Sequence, residues 1–386
     1  MTFILYMVAD GNRRGVRHLL PDFWEQAAEH GLALPTDEPV SAPAICQARN
    51  RLHTAVFQDL LYELSAPGAG GFAEAQHRRW HGRRVYAVDG AKINVRRAPD
   101  LEYAFGIPEG AHCPQLLMCT LVDVCTRRPV DLEVSGYRGS EREHLMRLMD
   151  SLDRGDLLIL DRGFPSHEVL QLCDQMGVDF LVRLPASHTF AVVDAFRLSG
   201  ASDKIMTLDP PKGADPGWRA LQVRLIRIEG PDGPAFYISS LSQKEITTAE
   251  IAELYHMRWE VEEYFKLFTS KYIGQKQFRS TSAQGVIQEI WALTLFLAIS
   301  SLLADAADDA LPDSDRFPSQ KGAVLTLARY LTRILLDPNP DRALAAIEQA
   351  IRRIQMTPDR RRPNRSHPRR SFKPNPKWGP GGRRGA

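Results

Sequence analysis

The chain has 386 residues, 44% of them hydrophobic, and a formal net charge of +2, so it is long and apolar enough to bury a large core and to divide into two or three structural units. Residues 3–9 lack the basic lead-in and cleavage site of a secretory signal, and the uncharged run Ile290 to Ala304 is shorter than a bilayer span, so the chain reads as cytoplasmic with no membrane partner. Its five cysteines are odd in number, and Cys113, Cys119 and Cys125 do not follow structural zinc spacing, so they read as reduced core thiols.

In chain order, residues 1–78 read as mostly helical. FWEQAAEHGLAL and SAPAICQARNRLHTAVFQDLLYELSA are the clearest amphipathic stretches, and APGAGG ends the segment as a flexible link. From Arg84 the period changes to that of strands: RVYAVDGAKINV, QLLMCTLVDVC and RPVDLEVSGY predict an antiparallel meander. The helix REHLMRLMDSL, the apolar strand DLLILD, the helix HEVLQLCDQMG and the strand DFLVRLP follow, an alternation that predicts crossover connections and a mixed sheet.

Gly- and Pro-rich turns and alternating strands over 188–243 predict a β-rich insertion. A long helix then starts at TTAEIAELYHMRWEVEEYFKLF, with Thr247 or Thr248 as its N-cap. A further helical region, VIQEIWALTLFLAISSLLADAA and beyond, is expected to pack on the sheet. Residues 352–386 carry twelve Lys and Arg against one Asp, so the rest of the chain is net negative. This basic tail is expected to be disordered, and it reads either as a segment holding a phosphate backbone without reading sequence or as a solubilising terminus.

Tyr255, Arg258, Glu262 and Lys266 fall at helical spacing on one face of the long helix, which fits either a solvated ladder of ion pairs or a carboxylate acting beside positive charge. Asp89 follows the apolar run VYAV, and Asp161 follows LLIL. Each reads either as a turn-starting Asp or as a carboxylate emerging from a buried sheet, which is costly unless it is hydrogen-bonded or holds a metal. With Glu262 they make three acids on three elements, with no His or Cys pattern beside them. Oxygen-only ligands suit Mg²⁺, with Mn²⁺ as the alternative, and two such ions activate a water or hydroxyl and stabilise the leaving oxygen of a phosphodiester.

VYAVDGAKINV, LLILDRGF and YHMRWEVEEYFK resemble the three acidic motifs of the DDE transposases of bacterial insertion sequences, specifically insertion sequence family four. The third motif of that family runs Tyr, two residues, Arg, three residues, Glu, six residues, Lys. The resemblance extends from about Ser41 to Ser301 and takes in HCPQLLMCTLVDVCT, GYRGSERE and FRSTSAQGVIQEIWA.

The resemblance implies a ribonuclease-H-like mixed sheet, three antiparallel strands then strand-helix units, with a β-rich insertion and a helical N-terminal domain. The expected division is 1–78 helical and DNA-binding, 79–187 with 244–310 catalytic, 188–243 insertion, 311–351 helical and 352–386 tail. It further implies that Asp89, Asp161 and Glu262 hold two divalent metals, that Tyr255 and Arg258 contact end DNA around a flipped base or its phosphate, and that cutting passes through a hairpin. Trp218, the one tryptophan of the insertion, is the candidate to stack on that hairpin. The implied partners are double-stranded DNA, as terminal inverted repeats and as target, and a second copy of the chain in a synaptic homodimer.

One position departs from the motif: Thr269 stands where the lysine is expected. Helix geometry puts Lys266 within about 40° of the Glu262 face and turns Lys271 away unless the helix ends first, so Lys266 is the expected substitute. A decayed or repurposed transposase that binds repeats without cutting, and a ribonuclease-H-like nuclease acting without transposition, are the alternatives.

Overall fold

The computed structural model describes residues 1–10, 14–65, 78–187, 190–230, 233–269, 278–309, 311 and 316–360. The APGAGG link, Lys271 and residues 361–386 of the basic tail lie outside them.

Four helices open the chain: α1 (Thr2–Ala9), α2 (Val16–Glu29), α3 (Ala42–Arg51) and α4 (Ala55–Ser65). Ser41 caps α3 through its side chain. The stretch expected as one amphipathic run is divided at 52–54, where Leu52 turns to extended backbone.

The mixed sheet begins with β1 (Val85–Asn94) and, after the short helix α5 (Pro99–Phe105), continues with β2 (Gln115–Asp123) and β3 (Arg128–Gly136). These three pair antiparallel in the order β3-β2-β1. Helix α6 (Glu141–Leu148) leads to β4 (Leu157–Leu160), and α7 (His167–Met176) leads to β5 (Asp179–Arg183). Strands β1, β4 and β5 run parallel, as helical crossovers require. The result is a mixed α/β sheet of three antiparallel strands followed by strand-helix units.

The insertion residues do not build a separate layer. Helix α8 (Ala191–Leu198) is followed by β6 (Asp203–Leu208), β7 (Leu221–Ile228) and β8 (Ala235–Ser239), and β8 pairs antiparallel with β5. The sheet therefore continues to eight strands, β3-β2-β1-β4-β5-β8-β7-β6.

The long helix is two segments, α9 (Thr248–Met257) and α10 (Trp259–Phe268), joined at Arg258, whose backbone remains right-handed helical. Thr247 caps α9 in a reciprocal capping box with Glu250, each satisfying a backbone N–H of the other. Helix α11 (Ala283–Asp308) is long and apolar enough to cross a membrane, longer than its uncharged run suggests, yet 89% of its apolar window is buried. It is the central core helix, and α12 (Gln320–Leu335) and α13 (Pro340–Gln355) pack beside it.

Strand alternation sends side chains to two cores. Val85 and Ala87 of β1 and Leu157 and Ile159 of β4 meet α10 and α11, whereas Tyr86, Val88, Leu158 and Leu160 meet α6, α7 and α8. The N-terminal helices share the first core: Phe3, Ile4, Leu5, Met7 and Val8 of α1 are buried against α11 and α12. A buried polar network adds to this. Arg49 of α3 donates to Gln288 (3.1 Å), to the Gly285 carbonyl (2.8 Å) and to Glu289 (3.2 Å). Glu289 also accepts the backbone N–H groups of Arg279 and Ser280, so its charge is fully hydrogen-bonded.

Candidate active site

The parallel register pairs Ala87 with Ile159; Asp89 stands two residues further along β1, and Asp161 is the first residue past the end of β4. Period-two alternation gives Asp89 the parity of Ala87, the face covered by α10, and Asp161 lies near enough for its charge to act on Asp89. Helix α10 seats itself there with Val261, Tyr264 and Phe268, which leaves Glu262 half-buried at the sheet. β4 ends at Leu160, whereas β1 runs on to Asn94 paired with β2 alone. The corner beyond Asp89 and Asp161 is therefore open on one side.

Arg258 is the cation of this corner. Its Nη2 donates to Glu262 Oε1 at 2.6 Å, its Nη1 lies 3.9 Å from Asp89 Oδ2, and it is only 13% exposed. Asp89 Oδ1 accepts the Gly90 N–H at 2.9 Å, and Asp161 Oδ1 accepts the Gly163 N–H at 2.7 Å. Burial pushes the Asp89 carboxyl up to about 6, against the Gly90 N–H and Arg258, and the negative charges of Asp161 and Glu141 add to the rise. Glu141, in the first turn of α6, is likewise pushed up by burial and then by Asp161. It is a carboxylate that the three-acid pattern did not single out. Its signal lay in GYRGSERE, where an acid directly follows a helix-capping serine.

Tyr255 sits near this corner, its ring centre 5.9 Å from the Arg258 guanidinium and 6.0 Å from that of Arg183, and edge-on to Tyr237 (4.9 Å). Arg183 was also missed, since nothing marks the end of β5 in sequence. Exposed Arg142, which donates to the Gly163 carbonyl at 3.1 Å, and exposed Arg162 and Lys92 complete a basic rim.

Two candidates take other places. Lys266 ion-pairs with Glu263 and lies over the Trp259 ring at 5.0 Å, so its ammonium does not meet Glu262. Trp218 stacks on His167 at 6.5 Å, at the start of α7 and six residues past Asp161. Thr269 closes α10, its hydroxyl donating to the Phe265 carbonyl at 2.7 Å.

Among the described residues, no three His, Cys, Asp or Glu side chains stand close enough together to hold an ion as placed. The donor set nevertheless suits a hard divalent cation. Four carboxylates gather at one sheet corner with a single contacting cation, and neither Asp161 nor Glu141 has an ion-pair partner among the described residues.

Comparison with known proteins gives a family and several structural likenesses, among them the two that follow. The chain resembles a piggyBac transposase synaptic complex with hairpin DNA at 10% identity and a TM-score of 0.42, covering 92% of this chain and 84% of that one. It also resembles Ciona intestinalis Endonuclease V, solved with an inosine-containing 24mer DNA, at 12% identity and a TM-score of 0.22, covering 59% of this chain and 100% of that one. No curated protein matches the sequence. The family described as Transposase DDE domain matches residues 80–299, more than half of the chain, and that span opens just before β1, takes in all three acids and closes within α11. The chain belongs to the transposase DDE domain family.

Proposed function

We propose that this protein is a metal-dependent DNA transposase of the insertion sequence family four type, which cuts and joins an element at its terminal inverted repeats. The observation that supports the reading is that Asp89 and Glu262 share Arg258, with Asp161 at the end of the adjacent strand near enough for its charge to act on Asp89, all inside the family match.

In this reading Asp89, Asp161 and Glu262 hold two divalent ions, Mg²⁺ or Mn²⁺. When bound, these supply Lewis-acid stabilisation of the attacking and leaving oxygens of the phosphodiester. The protein's own work is placement. The rim of Arg142, Arg162, Arg183 and Lys92 attracts the backbone, and Tyr255 with Arg258 grips the end DNA. Arg258 exchanges its carboxylate partners for a phosphate as the DNA seats; water hydrolyses one strand to free a 3′ hydroxyl, which attacks the facing phosphodiester of the opposite strand, and the flanking 3′ oxygen of that strand leaves as the end closes into a hairpin. Two copies of the chain bring two ends together, and the N-terminal helices contact the repeats.

The test is cleavage of the element's own flanking repeats in Mg²⁺. Asp89→Ala, Asp161→Ala and Glu262→Ala are each expected to lower cleavage by more than about 100-fold, beyond what outer partners cost, with end binding nearly intact. A variant cutting at near wild-type rate removes that residue from the site.

One observation favours the second reading, a transposase that binds without cutting. The motif's lysine position is Thr269, spent on closing α10, and Lys266 is engaged by Glu263. Thr269→Lys separates the two: little change in cleavage supports the active enzyme, and a gain from nothing to strong cleavage shows a decayed one.

A further inference from the structure

We propose that Glu141 is a fourth carboxylate of the metal site, lying against Gly90 so that its oxygens share a cation with Asp89 and Asp161. The inference rests on the DDE reading above.

Gly90 follows Asp89 on β1, and its φ is not in the left-handed region, so no backbone conformation calls for glycine there. What calls for it is space. A Cβ at this position would lie 2.5 Å from Glu141 Oε1, 2.6 Å from its Cδ and 2.7 Å from its Cγ. The Glu141 side chain thus lies flat on the strand at the residue next to Asp89. Helix α6 packs on the face opposite α10, but β4 stops at Leu160, and beyond that level no strand borders β1 on this side. A side chain entering from the α6 face and one leaving the end of β4 meet at the same open corner.

The first turn of a helix favours a carboxylate, and Ser140 caps α6 through its side chain. That would account for an acid pointing into water. It does not account for one half-buried against a glycine and beside two more aspartates, with the charge of exposed Lys92 acting on it but no ion pair within contact distance among the described residues.

The test uses the full chain without DNA, titrated with Mn²⁺ alone and followed by calorimetry and by the electron paramagnetic resonance of free Mn²⁺. Asp89→Asn reports the site itself. Glu141→Gln is expected to weaken Mn²⁺ binding about tenfold. Glu141→Asp, which keeps the charge and shortens the reach, is expected to weaken it too. Gly90→Ala pushes only the flexible end of Glu141 aside, so it should weaken binding as well, and Gly90→Ala with Glu141→Gln should be no worse than Glu141→Gln alone. Glu133→Gln, two strands away on β3 and paired with Arg147 at 3.2 Å, controls for distant charge and should leave Mn²⁺ affinity near wild type.

Wild-type affinity in Glu141→Gln, while Asp89→Asn abolishes binding, overturns the proposal and leaves the DDE reading standing. Loss in Glu141→Gln with wild-type affinity in both Glu141→Asp and Gly90→Ala overturns it as well, because only long-range charge is then at work. Mn²⁺ binding that ignores Asp89→Asn removes the DDE reading and this proposal with it.

Discussion

Arg258 touches Glu262 and approaches Asp89, so the same guanidinium that would grip a phosphate now neutralises the carboxylates that would hold metal. Both roles need the same charge, and only one partner can have it at a time. Arg258→Ala is therefore expected to change two affinities in opposite directions: Mn²⁺ binding without DNA tightens several-fold, because Glu262 loses its competitor, while binding of end DNA weakens. A fall in Mn²⁺ affinity would show that Arg258 orients the carboxylates instead of competing for them. Much of this corner was legible in sequence, since an acid placed directly after an apolar strand is costly without a use. Glu141 and Arg183 were not legible as neighbours of this corner, because strand ends and crossovers bring these distant segments together.

At the scale of elements, the meander and the strand-helix alternation were readable from period alone, because buried strands and amphipathic helices differ in where apolar residues recur. The junction of the inserted strands was not, since pairing of β8 with β5 is a tertiary choice that alternation in 235–239 leaves open. The β2–β3 hairpin shows what such a joint requires. Asp123 Oδ1 accepts the N–H groups of Cys125 (2.9 Å) and Thr126 (3.2 Å), and Arg127 in the turn takes a φ of 57°. Burial pushes the Asp123 carboxyl up to about 6, against those N–H groups and Arg128.

A folded value above the ordinary carboxylate value near 3.8 means that the folded state holds this proton more tightly than the unfolded state. Its contribution is present in full below about pH 4 and is lost as pH rises through about 6. Asp123→Asn keeps an acceptor for both N–H groups and removes the charge. Denaturant melts at pH 4 and pH 7 should show the variant gaining on wild type by about 1–3 kcal/mol at the higher pH, allowing for partial solvent screening. An equal difference at both pH values would show that Asp123 does not titrate in this window.

For the molecule as a whole, charge is segregated along the chain. Residues 352–386 hold twelve Lys and Arg against one Asp, so the remainder is net negative and carries four carboxylates at its candidate site. A net-negative body repels DNA at long range, and the basic rim acts only once the backbone is within about one Debye length, roughly 8–10 Å at ordinary salt. If the tail binds backbone charge, it adds attraction without reading sequence, and its removal tests this. α13 ends at Gln355, and Asp359–Arg360 pairs with Arg316–Phe317, so a cut after Arg360 removes basic sequence while sparing both contacts. Deleting 361–386 is expected to weaken binding to repeat DNA and to random DNA alike, leaving their ratio unchanged and flattening the dependence of log affinity on log salt. Titrations at several salt concentrations measure that slope directly. An unchanged slope would mean that the tail makes no phosphate contacts, and the attraction would then have to come from Lys92, Arg142, Arg162 and Arg183 on the rim.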